Sequence, residues 1–107
     1  MDTRKIIESA FDELNRNYSV TQYDFSTDWL GKSKSYYGYL KSSGAQAGNE
    51  VLLAIWGEAL RRKRDAEYLA GLSTKPVIRL SHKNRAEYYS NMANEVQGKL
   101  RDAALEN

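Results

Sequence analysis

The chain has 107 residues and no cysteine, with 41% apolar and 28% charged side chains. That is enough chain for one modest core, and too apolar a composition for a disordered tail. No apolar run approaches the roughly 18 residues a membrane span needs. The missing thiols exclude a disulfide framework and a thiolate metal site, which fits a cytoplasmic location. The opening Met1-Asp2-Thr3-Arg4-Lys5 lacks the apolar stretch of a signal peptide.

The net charge of +2 hides an uneven distribution. Residues 1–31 carry three basic and six acidic side chains, residues 32–64 carry seven and two, and residues 65–107 carry six of each. A basic middle on a nearly neutral chain is an electrostatic footprint that attracts phosphate backbones, with a solvated helix face as the plainer alternative.

Nearly every segment reads as helix. Ile6, Ile7, Ala10, Phe11 and Leu14 form one apolar stripe over about Thr3 to Asn15, with Asp2 or Thr3 as cap. Asn15-Arg16-Asn17 is expected to fray that helix, and Tyr18-Ser19-Val20 to form a short extended link. Thr21 then caps a second helix, with Asp24 placed as in a capping box. Phe25, Trp29 and Leu30 point inward, and Gly31 supplies a left-handed stop. Ser33 is expected to cap a short helix through Lys41, anchored by Tyr37 and Leu40 and ended by Ser42-Ser43-Gly44.

A small-residue loop, Ala45 to Gly48, leads to a long helix from about Asn49 to Ala70. Its inner face is Leu52, Ile55, Trp56, Ala59 and Leu60, with Gly71 as C-cap. Pro76 prevents simple continuation, and Val77 to Leu80 reads as a brief strand or extended arm. The last helix is capped at Ser81 or Asn84 and runs to about Leu105. Its apolar positions Tyr89, Met92, Val96, Leu100 and Ala103 make a narrow seam that serves either core packing or a homodimer contact. The fold class is therefore all-α, about five helices with a central helix-turn-helix and a long C-terminal helix. Residues 1–72 form the helix-turn-helix domain, and residues 73–107 are a linker and packing or dimerisation helix of the same domain.

Two short capped helices around a glycine turn describe a helix-turn-helix. Its second helix has to enter a major groove roughly 12 Å wide and present hydrogen-bonding residues early. Those residues are Lys34, Ser35, Tyr36 and Tyr39, with Lys41 and Ser42 near the end and Lys32 in the turn. Four consecutive basic residues, Arg61, Arg62, Lys63 and Arg64, can hold flanking phosphates, bind an acidic protein or simply solvate a helix.

The segments Thr21-Gln22-Tyr23-Asp24-Phe25-Ser26 and Leu30-Gly31-Lys32-Ser33-Lys34-Ser35-Tyr36-Tyr37-Gly38-Tyr39-Leu40-Lys41 resemble the helix-turn-helix of phage-repressor-like (Cro/C1, XRE-type) regulators. Those commonly read T-Q-x-x-[FL]-[AS], then L-G-[VI]-S-x-S-Y-[IV]-S-x-[LI]. The resemblance implies a backbone contact at Gln22, a small residue between the helices at Ser26, and base reading at Lys34, Ser35, Tyr36 and Tyr39. The spacing from Gln22 to Gly31 is one residue longer than in that family, so the first helix or the turn has to absorb a residue. Lys32 stands where the family has an aliphatic plug, leaving Tyr37 or Trp29 to fill that volume. The pattern W-L-G-[KR]-S-x-x-Y-Y also looks like a group of short bacterial proteins of uncharacterised activity.

The residue inventory points away from catalysis. Eight tyrosines invite a nucleophile, but no activating cluster of Arg, His or metal ligands accompanies them. His82 has no second ligand or base at useful spacing, and no phosphate loop or cofactor motif is present. The expectation is a non-enzymatic DNA-binding regulator of bacterial or phage type that binds double-stranded DNA as a homodimer, without cofactor, metal or membrane. The alternative is an inhibitor or antiactivator that binds another protein through the same fold, since tyrosine is enriched at protein interfaces.

Overall fold

The computed structural model describes residues 3–106, so Asp2, one of the two expected caps of the first helix, lies outside the described residues. Within them the chain is all-helical: α1 (Thr3–Tyr18), α2 (Gln22–Asp24, running on as a π-helical turn over Phe25–Trp29), α3 (Tyr36–Ser43), α4 (Asn49–Leu72) and α5 (Pro76–Glu106).

The stripe on α1 buries Ile7, Ala10, Phe11 and Leu14. The helix runs through Asn15-Arg16-Asn17 instead of fraying there, and stops because Ser19 turns left-handed at φ 56°. The Ser19 amide donates to Asn15 O at 3.0 Å, which satisfies one terminal carbonyl. Thr21 caps α2 as its position implies, its Oγ1 accepting from the Asp24 amide at 3.1 Å.

The extra residue before Gly31 is absorbed within the helix. Leu30 N bonds Phe25 O at 3.0 Å, five residues back, so the turn is wound as π instead of α. That register buries Phe25, Ser26, Trp29 and Leu30 together, and Gly31 follows at φ 65°.

The next helix starts later than its sequence suggests. Ser33 does not cap it: Ser33 O accepts from Tyr36 N at 3.0 Å in a turn, and α3 begins at Tyr36. The side-chain bond at its N-terminus comes from the preceding helix, where the fully buried Ser26 Oγ accepts from the Tyr37 amide at 3.0 Å. A tertiary contact thus replaces the local cap, which is why residue spacing alone placed the start too early. Gly44, at φ 72°, ends α3.

Two further boundaries move. Gly71 lies inside α4, and the helix closes on Ser73, whose amide donates to Leu69 O and Ala70 O. Val77 to Leu80 is helical, neither strand nor extended arm. Pro76 occupies the first position of α5, where a missing N–H costs nothing and its fixed φ suits the helix. Ser81 and Asn84 accordingly lie within α5 and do not cap it.

The core is a hub of aromatics joining the first three helices. Phe11, Phe25 and Tyr37 meet pairwise with ring centroids 5.3, 4.7 and 5.1 Å apart. Such pairs contribute about 0.5–1.5 kcal/mol each beyond the area they bury. Val51, Leu52, Ile55 and Ala59 of α4 and Tyr89, Met92, Ala93 and Val96 of α5 complete the core. The seam on α5 is therefore occupied within the chain: Tyr89, Met92, Val96 and Ala103 are buried and Leu100 is half-buried against the core. These side chains are already covered, so a partner copy cannot reach them without displacing the core.

Candidate nucleic-acid interface

The candidate recognition helix is held from beneath by Tyr37 and Leu40, both fully buried, and by the Ser26 bond at its start. These contacts lie on one side of α3 and leave its other side open. Ser35, Tyr39 and Ser42, spaced by four and three residues, are exposed along that open side. Lys34 precedes them in the turn, exposed as well. Tyr36 is half-buried, with the Lys32 ammonium 5.5 Å from its ring centroid. Gln22 joins this surface from the start of α2, its Oε1 lying 3.7 Å from where a Cβ on Gly38 would sit. The structure therefore brings Gln22, Lys32, Lys34, Ser35, Tyr36, Tyr39, Lys41 and Ser42 around one short helix.

Trp29 and Tyr37, the two residues expected to make up for an aliphatic side chain after Gly31, are both fully buried. Lys32 is consequently free to stay at the surface.

The basic run on α4 sits differently. Glu58 accepts from Arg61 Nε at 2.9 Å and from Arg62 Nε at 2.8 Å. Arg61 also reaches Asp65 at 3.2 Å, and Lys63 approaches Glu67 at 3.9 Å. Arg62 lies over the Trp29 ring, its Cζ 4.8 Å from the centroid, a cation–π arrangement. Three of the four charges are thus matched by acids one turn away. Among the described basic candidates, the side chains of Lys32, Lys34, Lys41 and Arg64 carry no ion pair or hydrogen bond, and Lys32 faces the Tyr36 ring. The neutralisation was legible in the sequence as Glu58, Asp65 and Glu67 at three- and four-residue spacings, a signal outweighed by the run of four bases. Tyr23, exposed beside Gln22, also joins this end of the molecule and was not among the expected contacts.

The tyrosines whose acidity is perturbed all shift in one direction. Burial, then the neighbouring Glu50 and Tyr39, pushes the Tyr36 phenol up. Burial with Asp12 and Glu8 nearby pushes Tyr37 up to about 12. Tyr18 and Tyr88 are raised chiefly by burial too. Glu58 moves the other way: burial alone would raise it, but hydrogen bonds and charge from Arg61 and Arg62 outweigh burial and lower it. Among the described residues no group of three or more His, Asp or Glu is placed to hold a metal ion. No described helix is long and apolar enough to cross a membrane.

No curated protein and no solved structure matches the chain. Residues 7–104 match the family described as a family of unknown function, DUF6626, so the match takes in all of α2 to α4, most of α1 and nearly all of α5. The chain is a member of that family.

Proposed function

We propose that this protein is a small non-enzymatic DNA-binding regulator that inserts the open side of α3 into a major groove. The observation that carries the reading is the mounting of α3. Buried Tyr37, Leu40 and the Ser26 bond hold the helix from one side, while Lys34, Ser35, Tyr39, Lys41 and Ser42 stay free on the surface. In this reading Lys34, Ser35, Tyr36 and Tyr39 face base edges, and Gln22, Lys32, Lys41, Ser42 and Arg64 take phosphates. Arg61, Arg62 and Lys63 have a smaller part in phosphate contact, because each already faces an acid. A homodimer supplies two such helices, which is how a short recognition helix gains specificity.

Selection from a randomised double-stranded DNA library at two salt concentrations tests this. Enrichment of a palindromic motif, with affinity falling as salt rises, is the expected outcome. Absence of any salt-dependent binding to DNA would refute it.

A second reading, an inhibitor that docks on another protein, is favoured by the exposed Tyr23 and Tyr39 and by the internally paired basic run. Capture of one stoichiometric protein, insensitive to nuclease and salt, would select it over DNA.

A further inference from the structure

In the hairpin formed by α4 and α5 lies a cavity of about 220 Å³, lined by Arg61, Arg62, Asp65, Ala66, Arg85 and Tyr89. Three guanidinium groups face one carboxylate there. Counting Glu58, which holds Arg61 and Arg62, three positive charges still meet only two negative ones. Asp65 is already taken by Arg61 Nη1 at 3.2 Å, and the remaining nitrogens of Arg61 bond Glu58. Arg61 and the acid of the cavity therefore satisfy each other.

The other two arginines are only partly used. Arg62 bonds Glu58 through Nε alone, and its two Nη groups meet no acceptor among the described residues. Arg85 donates from Nη2 to His82 Nδ1 at 2.7 Å, a direction fixed because arginine carries no acceptor. Its Nε and Nη1 meet no acceptor, and no acid among the described residues pairs with it. Tyr89 completes the set. It is only 5% exposed, yet its hydroxyl has no hydrogen-bond partner among the described residues. The Tyr37 hydroxyl is shut away from solvent, whereas that of Tyr89 is not.

These donors are held in place by the protein itself. Glu58 and the Trp29 ring fix Arg62, and His82 fixes Arg85. Donors ordered in advance lose little freedom on binding, which favours a ligand that accepts from several at once.

We propose that this cavity binds a small tetrahedral oxyanion, either inorganic phosphate or the phosphate group of a monoester. Arg62 Nη1 and Nη2, with Arg85 Nε and Nη1, supply charge-assisted donors in pairs, and the Tyr89 hydroxyl adds one more. A monoester phosphate offers three free oxygens to such a set, whereas the diester of a nucleic-acid backbone offers fewer. The volume agrees, since it lies below the roughly 300–1,000 Å³ that larger organic ligands occupy. The site lies on α4 and α5, apart from α3, and does not rest on the DNA reading.

Titration of the full chain with inorganic phosphate, with chloride holding the ionic strength constant, tests the proposal. In NMR spectra the Arg62 and Arg85 Nε–H signals and the Trp29 indole signal should shift together and saturate, with a Kd of about 1 mM or tighter. Arg85→Gln and Tyr89→Phe should each weaken binding by about tenfold or more, because each removes a hydrogen bond to a charged group. Tyr89→Phe keeps the ring that packs on Trp29, so its helical circular dichroism spectrum should be that of the wild type. Lys75→Ala, an exposed cation outside the cavity, should leave the affinity unchanged. Shifts that do not saturate, equal affinity for dimethyl phosphate, or unchanged affinity in a folded Arg85→Gln or Tyr89→Phe variant would overturn the proposal. A protein that binds DNA but not phosphate would refute this site alone, and one that binds phosphate but not DNA would refute the DNA reading alone.

Discussion

Replacing Ser26 with alanine removes one oxygen and nothing else of consequence from the core. The hydroxyl is fully buried and accepts the Tyr37 amide at 3.0 Å, so its loss strands a backbone donor at the start of α3. An unsatisfied buried donor costs about 1–3 kcal/mol, and alanine keeps the Cβ, so packing changes little. A loss of about 1.5–2 kcal/mol is expected, a substantial share of the roughly 5–15 kcal/mol that holds a domain of this size. The melting temperature should fall by about 6–10 °C. Thermal and urea unfolding followed by circular dichroism measure the loss, with the urea slope unchanged if the effect lies in the native state. Hydrogen exchange locates it, since the Tyr37 amide should lose protection more than those of α4. Ser42→Ala is the control: its hydroxyl is exposed, and the change should fall within about 0.5 kcal/mol. If Ser26→Ala leaves both stability and Tyr37 exchange at wild-type values, the claim that α3 is capped from across the turn is wrong.

The Tyr37 hydroxyl is buried with no hydrogen-bond partner among the described residues, so Tyr37→Phe should leave stability unchanged or raise it by up to about 1 kcal/mol. Because burial lifts Tyr37 from 10.0 to about 12, its protonated form supports the fold fully below pH 10. That support drains away as pH rises toward 12, an alkaline loss that Tyr37→Phe should reduce in a stability-versus-pH series. Glu58 gives the acid counterpart. Its folded value is lowered by Arg61 and Arg62, so its contribution is complete above 4.5 and lost as pH falls through the folded value; Glu58→Gln should flatten that limb. In DNA binding, Lys41→Ala and Arg64→Ala should each reduce the salt slope by about 0.9, whereas Arg62→Ala should leave the slope nearly unchanged and cost about 1 kcal/mol of stability through Trp29 and Glu58.

What could be read in advance depended on whether the cause was local. Apolar spacing places Ile7, Phe11 and Leu14 on one face of α1 because the helical period acts within a few residues. Thr21 and Gly31 act within one turn, and both do what their chemistry implies. Even the surplus residue before Gly31 was visible as a spacing, although not the form of its accommodation. The π turn is the register that lets Phe25, Ser26, Trp29 and Leu30 all reach a core built from α1 and α3. The start of α3 was misplaced because its side-chain partner is Ser26, eleven residues from Tyr37, and not Ser33 nearby. Val77 to Leu80 looked extended because apolar residues after a proline carry no period of their own. Their helix is set by Pro76 at its first position and by α4 alongside.

The amino-acid sequence by itself determined that this is an all-helical chain with a glycine turn between Thr21 and Lys41 and an uneven charge along its length, since those follow from composition and neighbours three or four residues apart. Only the tertiary structure decided which charges remain available and which apolar residues remain uncovered. Arg61 to Lys63 are spent on Glu58, Asp65 and Glu67, the α5 seam is consumed by the core, and the apolar surplus appears at the hairpin tip. Burial and pairing are properties of what packs against a residue, and that is settled by segments far away along the chain.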